Sequence, residues 1–254
     1  MKAEYDRPTR NVMLTVSYDG TPFQGWQRQA NAVTVQGLLE EALATVCGHG
    51  VKLFGSGRTD AGVHAKAQVA NFHTDSNRDL DTIVRGSNAL LPLTVAVLSA
   101  REMGPEFNAR FSATGKTYAY DFLTTAVRDP LLVNRAWFVG PRLDWDRVQK
   151  SLPYLLGTKD FKAFKSSGGT VKSTVKTISA VDLSEIAPNI TRLTITGSGF
   201  LRHMVRAIAG TLWLIGRGKL GPMDLAKIID SEDRSQAGPA APPQGLCLER
   251  VHYG

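Results

Sequence analysis

Cysteine is scarce: the chain has two, Cys47 and Cys247, and no CxxC pair. That leaves no disulfide framework, and a reducing cytoplasm is the expected location. Both thiols read as small apolar residues and not as nucleophiles. The opening MKAEYDRPTR contains no apolar h-region, so no secretory signal is visible. Long hydrophobic runs are missing too. The longest in the C-terminal third, IAGTLWLIG (208–216), is too short to cross a bilayer, and Arg206 and Arg217 flank it. No membrane span is expected. There is no P-loop, no GxGxxG after a strand and no GxSxG elbow, so nucleotide-cofactor and serine-hydrolase chemistry lack support. The histidines, His49, His64, His73, His203 and His252, form no cluster with metal-ligand spacing. His64 lies four residues after Asp60, but a metal site needs further ligands, and none is expected.

What is present is a globular composition, 43% hydrophobic and 21% charged over 254 residues, enough for a sizeable core in one large domain or two small ones. The formal net charge is +7, from 30 basic and 23 acidic side chains. Such a surplus is compatible with a polyanionic partner without requiring one.

Hydrophobic periodicity organises the chain. Val12, Leu14, Val16 and Tyr18 recur at period two and predict a strand. Thr34 can cap a helix that carries Leu38, Leu39, Ala42, Leu43 and Val46 and stops at Gly48. Residues 51–54 and 67–73 read as strands bracketing a glycine-rich loop. Residues 79–91 read as a helix, 94–100 as a buried strand, and 116–123 as a strand with Tyr118, Tyr120 and Phe122 on one face. A helix over 144–156, kinked by Pro153 and stopped by Gly157, precedes strands at 175–183 and 191–197. Helices are expected at 199–216 and 222–230, and a strand at 246–253. The segment 231–244 is a Ser-, Pro-, Ala- and Gly-rich loop. Strand pairs with no helix between them predict an α+β fold with a largely antiparallel sheet.

The bracketed loop, GSGRTDAGVHA (55–65), sets one carboxylate, Asp60, beside Arg58 among glycines. A neighbouring guanidinium favours an ionised carboxylate, suited to be a nucleophile or an electrostatic stabiliser and not an acid. The glycines allow close approach of a substrate to the backbone. Local composition fits an ordinary Asx turn equally. Lys159, Lys162, Lys165, Lys172 and Lys176 interleave with Phe161 and Phe164 in the manner of a phosphate track. Arg202 and Arg206 sit four apart, on one face if the 199–216 helix holds. Arg206 falls within an apolar helix, where a charge needs a partner, and Asp60 is a candidate. An aromatic row on a strand is ordinarily core, although a tyrosine at its polar end can stack on an extruded base.

These stretches together resemble the TruA family of tRNA pseudouridine synthases. The loop 55–65 is similar to that family's signature. So, in the family's order, are YDGTPFQGWQRQ (18–29), VQGLLEEAL (35–43), RGSNALLP (85–92), FNARFSATGKTYAY (107–120), GTKDFKAF (157–164), GFLRHMVRAIAG (199–210) and GLCLERV (245–251). The resemblance covers essentially the whole chain. It departs at KSSGGTVK (165–172), which does not align, and it lends no signal to 231–244.

The resemblance implies a pseudouridine synthase fold: two similar α+β halves, 1–110 and 111–254, with the active site in the cleft between them. It implies isomerisation of uridine to pseudouridine at positions 38, 39 and 40 of the tRNA anticodon arm. The N1–C1′ bond breaks, the uracil turns while held, and C5 bonds to C1′, with neither cofactor nor metal required. Asp60 matches the family's catalytic aspartate. Arg58 matches the residue that helps open the site, and Arg206 the arginine paired with the carboxylate. Tyr118 matches the tyrosine that stacks on the target base, and Leu246 the apolar lining of the uracil pocket. Arg202 and His203 match a basic pair on the substrate side. A homodimer with tRNA across both subunits is implied. Extruding a base costs a few kcal/mol, which phosphate contacts must offset, and an A-form stem is read by shape. Two other readings remain to be weighed: a non-catalytic RNA-binding protein on the same fold, and a hydrolase using Asp60 and His64, which would need a second acid or a metal.

Overall fold

The computed structural model describes residues 10–168 and 172–254. The chain is α+β and forms two compact units, one running to Ala113 and including Tyr253–Gly254, the other Thr114–His252.

The first unit is built on β1 (Arg10–Tyr18), α1 (Val35–Cys47), β2 (Phe54–Gly55), β3 (His64–Thr74), α2 (Leu80–Leu90) and β4 (Val95–Met103). The expected period-two strand is β1, and it is central because it is flanked on both edges. It pairs antiparallel with β3 (Val12 opposite Phe72, Leu14 opposite Ala70) and with β4 (Val16 opposite Val97). Val12, Leu14 and Val16 are wholly buried, which is what alternation on a half-covered sheet requires. The helix α1 has the expected caps. Thr34 accepts from Gly37 N–H, and Gly48 ends the helix in the left-handed region at φ 81°. Gly86 of α2 lies where an added Cβ would come within 2.9 Å of a Val46 methyl, so α2 packs closely on α1 and a side chain there would make Val46 shift. Two expectations change. The strand 51–54 shrinks to the two residues of β2. The strand 94–100 is not buried throughout: Val95 and Val97 are, but Leu98 is 55% exposed, because side chains alternate along a strand and it points to the other face of β4.

The second unit contains β5 (Ala113–Leu123), β6 (Trp137–Phe138), α3 (Trp145–Ser151), β7 (Gly157–Asp160), β8 (Val175–Ala187), β9 (Ile190–Gly197), α4 (Met204–Gly216), α5 (Asp224–Ser231) and β10 (Leu246–Tyr253). Its strands run in the order β10-β5-β9-β8-β7, with the short β6 parallel to the end of β5. The β5–β9 and β8–β9 pairs are antiparallel. Asp121 and Arg192 face each other across β5 and β9 and form a two-pronged ion pair at 2.7 Å on each prong. Tyr120, Phe122, Trp137, Trp145 and Trp213 pack as one aromatic cluster.

Helix ends in this unit depart from periodicity. The helix expected over 144–156 stops at Ser151 and continues as a 3-10 turn through Leu155, since Pro153 removes an amide donor and crowds the preceding turn. The helix expected from 199 begins at Met204, because His203 stands in the left-handed region at φ 61°. Arg202 and His203 therefore precede α4 and do not share a helical face with Arg206.

Candidate active site

Asp60 belongs to the first unit, in the turn between β2 and β3, and the block 18–29 holds that turn from several sides. Trp26 N–H donates to Thr59 O at 3.1 Å, and Gly62 N–H donates to Phe23 O at 3.3 Å. Val63 N–H closes the turn onto Asp60 O at 3.2 Å. The Tyr18 hydroxyl hydrogen-bonds the Thr59 hydroxyl at 2.8 Å. Gly25 takes φ 89°, and a Cβ there would lie 2.6 Å from Thr59 O; the contact demands glycine on both counts. Ser56 Oγ donates to Gln68 Oε1 at 2.6 Å, and Gln68 Nε2 donates back to Gly57 O at 3.1 Å, which ties the loop to β3. Asp60 itself is half-buried on this mount. His64 serves the same scaffold: its Nδ1 accepts from Gly20 N–H at 3.0 Å. Among the described residues no three His, Cys, Asp or Glu side chains group as a metal set.

Arg58 is exposed and its Nε donates to Gln27 Oε1 at 3.0 Å. Gln27 received no role from sequence reasoning. It sits in the same block that clamps Thr59.

The other expected site residues belong to the second unit. Tyr118 on β5 is buried, and its ring meets Phe200 edge-on at 5.3 Å between centroids. The two rings behind it on the same face, Tyr120 and Phe122, are core, as a strand row predicts. The Tyr120 hydroxyl donates to Pro242 O at 2.8 Å. Burial pushes its phenol well above the ordinary value, and the charge of Arg206 opposes that rise. Arg206, on the first turns of α4, donates through Nε to Ala241 O at 2.7 Å. Leu246, the first residue of β10, is buried directly after the turn Pro243–Gly245.

The segment 238–242 thus links two of the expected residues, Arg206 and Leu246, with the core residue Tyr120, and sequence reasoning missed it. An added Cβ on Gly210 of α4 would lie 1.8 Å from Pro239 O, and Gly238 N–H donates to Thr211 Oγ1 at 2.8 Å. The chain crosses the helix backbone to backbone. Its carbonyls then face Arg206 and Tyr120, and it delivers Leu246 to β10.

Arg202 is exposed; its Nη1 lies 3.4 Å from Ser167 O, and its own carbonyl accepts from Ser166 N–H at 3.2 Å. His203 Nδ1 hydrogen-bonds Ser166 Oγ at 2.6 Å. The stretch 165–168 therefore docks on the residues just before α4; residues 169–171 of the unaligned stretch 165–172 lie outside the described residues. The expected phosphate track changes character. Phe161 and Phe164 are fully buried core, and Lys162 pairs with Glu232 at 3.1 Å.

Comparison with known proteins bears on this arrangement. Residues 14–112 and 152–254 match the family described as tRNA pseudouridine synthase. The chain is 43% identical over 244 residues to tRNA pseudouridine synthase A 2 of Clostridium perfringens (strain 13 / Type A), covering 96% of this chain and all of that one. It is 45% identical over 245 residues to tRNA pseudouridine synthase A of Geobacter sp. (strain M21), covering 96% and 99% of the two. The Geobacter sulfurreducens protein of the same name is 43% identical over 244 residues, covering 96% of this chain and all of its own length.

Proposed function

The chain belongs to the tRNA pseudouridine synthase family, an isomerase acting on tRNA, and from that premise we propose that it converts uridines 38, 39 and 40 of the anticodon arm to pseudouridine through Asp60. The observation that carries the assignment to Asp60 is the mount of its loop. The loop that carries the Asp60 carboxylate is held at Thr59 O, Thr59 Oγ1, Asp60 O and Gly57 O, all from within one unit. Such a frame keeps a reacting group in place without a metal or cofactor.

In this reading Asp60 acts as the nucleophile or as the charge that stabilises the positive character developing at C1′ as the base departs. The N1–C1′ bond breaks, the uracil turns, C5 bonds to C1′ and gives its proton to solvent, and the freed N1 takes a proton up, so the product is an isomer of the starting uridine. Arg58 helps to open the site and Arg206 supplies positive charge for the reaction. Tyr118 stacks on the base against its Phe200 support, and Leu246 lines the uracil pocket. Arg202 and His203 receive the RNA backbone. Residues 1–110 and 111–254 form the two halves of the enzyme. The family resemblance further supports a cytoplasmic homodimer with tRNA lying across both subunits; no helix among the described residues is long and apolar enough to cross a membrane.

Carbodiimide modification followed by primer extension on an unmodified tRNA transcript tests the substrate position. Stops that appear at 38, 39 or 40 only after treatment with the protein are expected. Stops confined to other arms would overturn the placement in the anticodon arm.

A further inference from the structure

Arg58 is exposed, yet its guanidinium ends a chain of side-chain hydrogen bonds that runs down into the first unit. Arg58 Nε donates to Gln27 Oε1 at 3.0 Å. Gln27 Nε2 donates to Gln36 Oε1 at 2.7 Å. Gln36 Nε2 donates to Glu40 Oε1 at 3.0 Å. Every donor points the same way, toward the Glu40 carboxylate.

The far end is fixed. Glu40 is 6% exposed, and its carboxylate also accepts from Leu53 N–H at 3.0 Å and from Arg28 Nη1 at 2.9 Å. Gln36 is 7% exposed and fully satisfied. Its amide nitrogen serves Glu40 and Leu53 O, and its oxygen accepts from Gln27 Nε2 and Arg28 N–H. An amide alone has the donors and acceptors for that position. The backbone of Gln36 is held as well, since its N–H donates to Trp26 O at 3.0 Å. Gln27 joins this rigid base to Arg58, and hydrogen bonds aligned in one direction reinforce one another.

Resting on the proposed role of Arg58, we infer that Gln27 is a positioning residue: together with Gln36 and Glu40 it forms a relay that sets Arg58 for extrusion of the target nucleotide. A long exposed arginine otherwise samples many rotamers, and fixing one before the RNA arrives removes an entropic cost from the extrusion step.

Single-turnover pseudouridine formation on a tRNA transcript, with tRNA affinity and thermal unfolding measured alongside, tests this by a double-mutant cycle. Gln27→Met should slow the single-turnover rate roughly tenfold while leaving affinity and melting nearly unchanged. In an Arg58→Ala background the same substitution should cost nothing further. Gln27→Glu still offers an acceptor to Arg58 and should recover part of the rate. Should Gln27→Met fail to fold, Gln27→Asn, too short to reach both neighbours, takes its place in the same cycle. Equal losses in both backgrounds would show that Gln27 acts only through the fold and would overturn the relay alone. A wild-type protein that forms no pseudouridine would overturn the functional reading together with the relay.

Discussion

The hydroxyl of Tyr18, the last residue of β1, lies 2.8 Å from Oγ1 of Thr59, the residue immediately before Asp60. Both residues are buried. A core strand thereby reaches the reactive loop directly. The bond joins the hydrophobic pattern of the first unit to the position of the carboxylate.

Tyr18→Phe removes the hydroxyl, and with it that bond, and keeps the ring. Loss of one buried hydrogen bond should cost about 1–2 kcal/mol of stability. The pseudouridine-forming rate should fall while tRNA affinity holds, because phosphate contacts dominate binding. Thermal unfolding and a filter-binding assay on the same preparations check the split.

Gly25→Ala tests the close approach on the other side of Thr59. The new Cβ would meet Thr59 O at 2.6 Å, in a backbone conformation at φ 89° that alanine disfavours. A cost of roughly 1–3 kcal/mol for the strain alone is expected, with loss of activity as the Thr59–Asp60 peptide is displaced. Chemical denaturation and rate measurements give the outcome. Gly48→Ala, where φ is 81° but nothing lies within 4 Å, should cost stability and leave activity unchanged.

Tyr118→Phe keeps the ring that meets Phe200 edge-on and removes the hydroxyl. Affinity for tRNA should be retained while catalysis falls. An unchanged single-turnover rate would leave stacking as the residue's whole contribution.

Tyr120 predicts a pH dependence of stability. Its folded phenol is held neutral by burial, with its pKa raised. In the unfolded chain it ionises near its ordinary value of about 10. Below that value both states bind the proton and the contribution is fully present. Above it the unfolded chain releases its proton first, so stability falls as pH rises from about 10 toward the folded value. Urea unfolding of wild type and Tyr120→Phe across that range should show a shallower decline in the variant. The variant should also start lower near neutrality, having lost the bond to Pro242 O.

Period and punctuation made much of the fold legible. Val12, Leu14 and Val16 announced β1, Thr34 and Gly48 bounded α1, and the loop around Asp60 stood out by its glycines. What escaped had nonlocal causes. The true start of α4 depends on His203 taking a left-handed conformation, where its ring bonds to Ser166 thirty-seven residues away. The segment 238–242 looked like a spacer because its interactions use main-chain carbonyls and the bare backbones of Gly210 and Gly238. Phe161 and Phe164, interleaved with lysines in the manner of a phosphate track, are buried by tertiary packing. Gln27 and Gln36 are polar residues of ordinary appearance whose pairing only the fold reveals.

The central claim, that Asp60 performs a uridine isomerisation in tRNA, is tested most directly by tritium release from C5-labelled uridine. The assay uses an unmodified tRNA transcript and compares wild type with Asp60→Ala. Wild type should release tritium, and Asp60→Ala should release none while still binding the RNA. Release by Asp60→Ala at the wild-type rate would contradict the assignment, as would an absence of release by wild type that binds the same transcript.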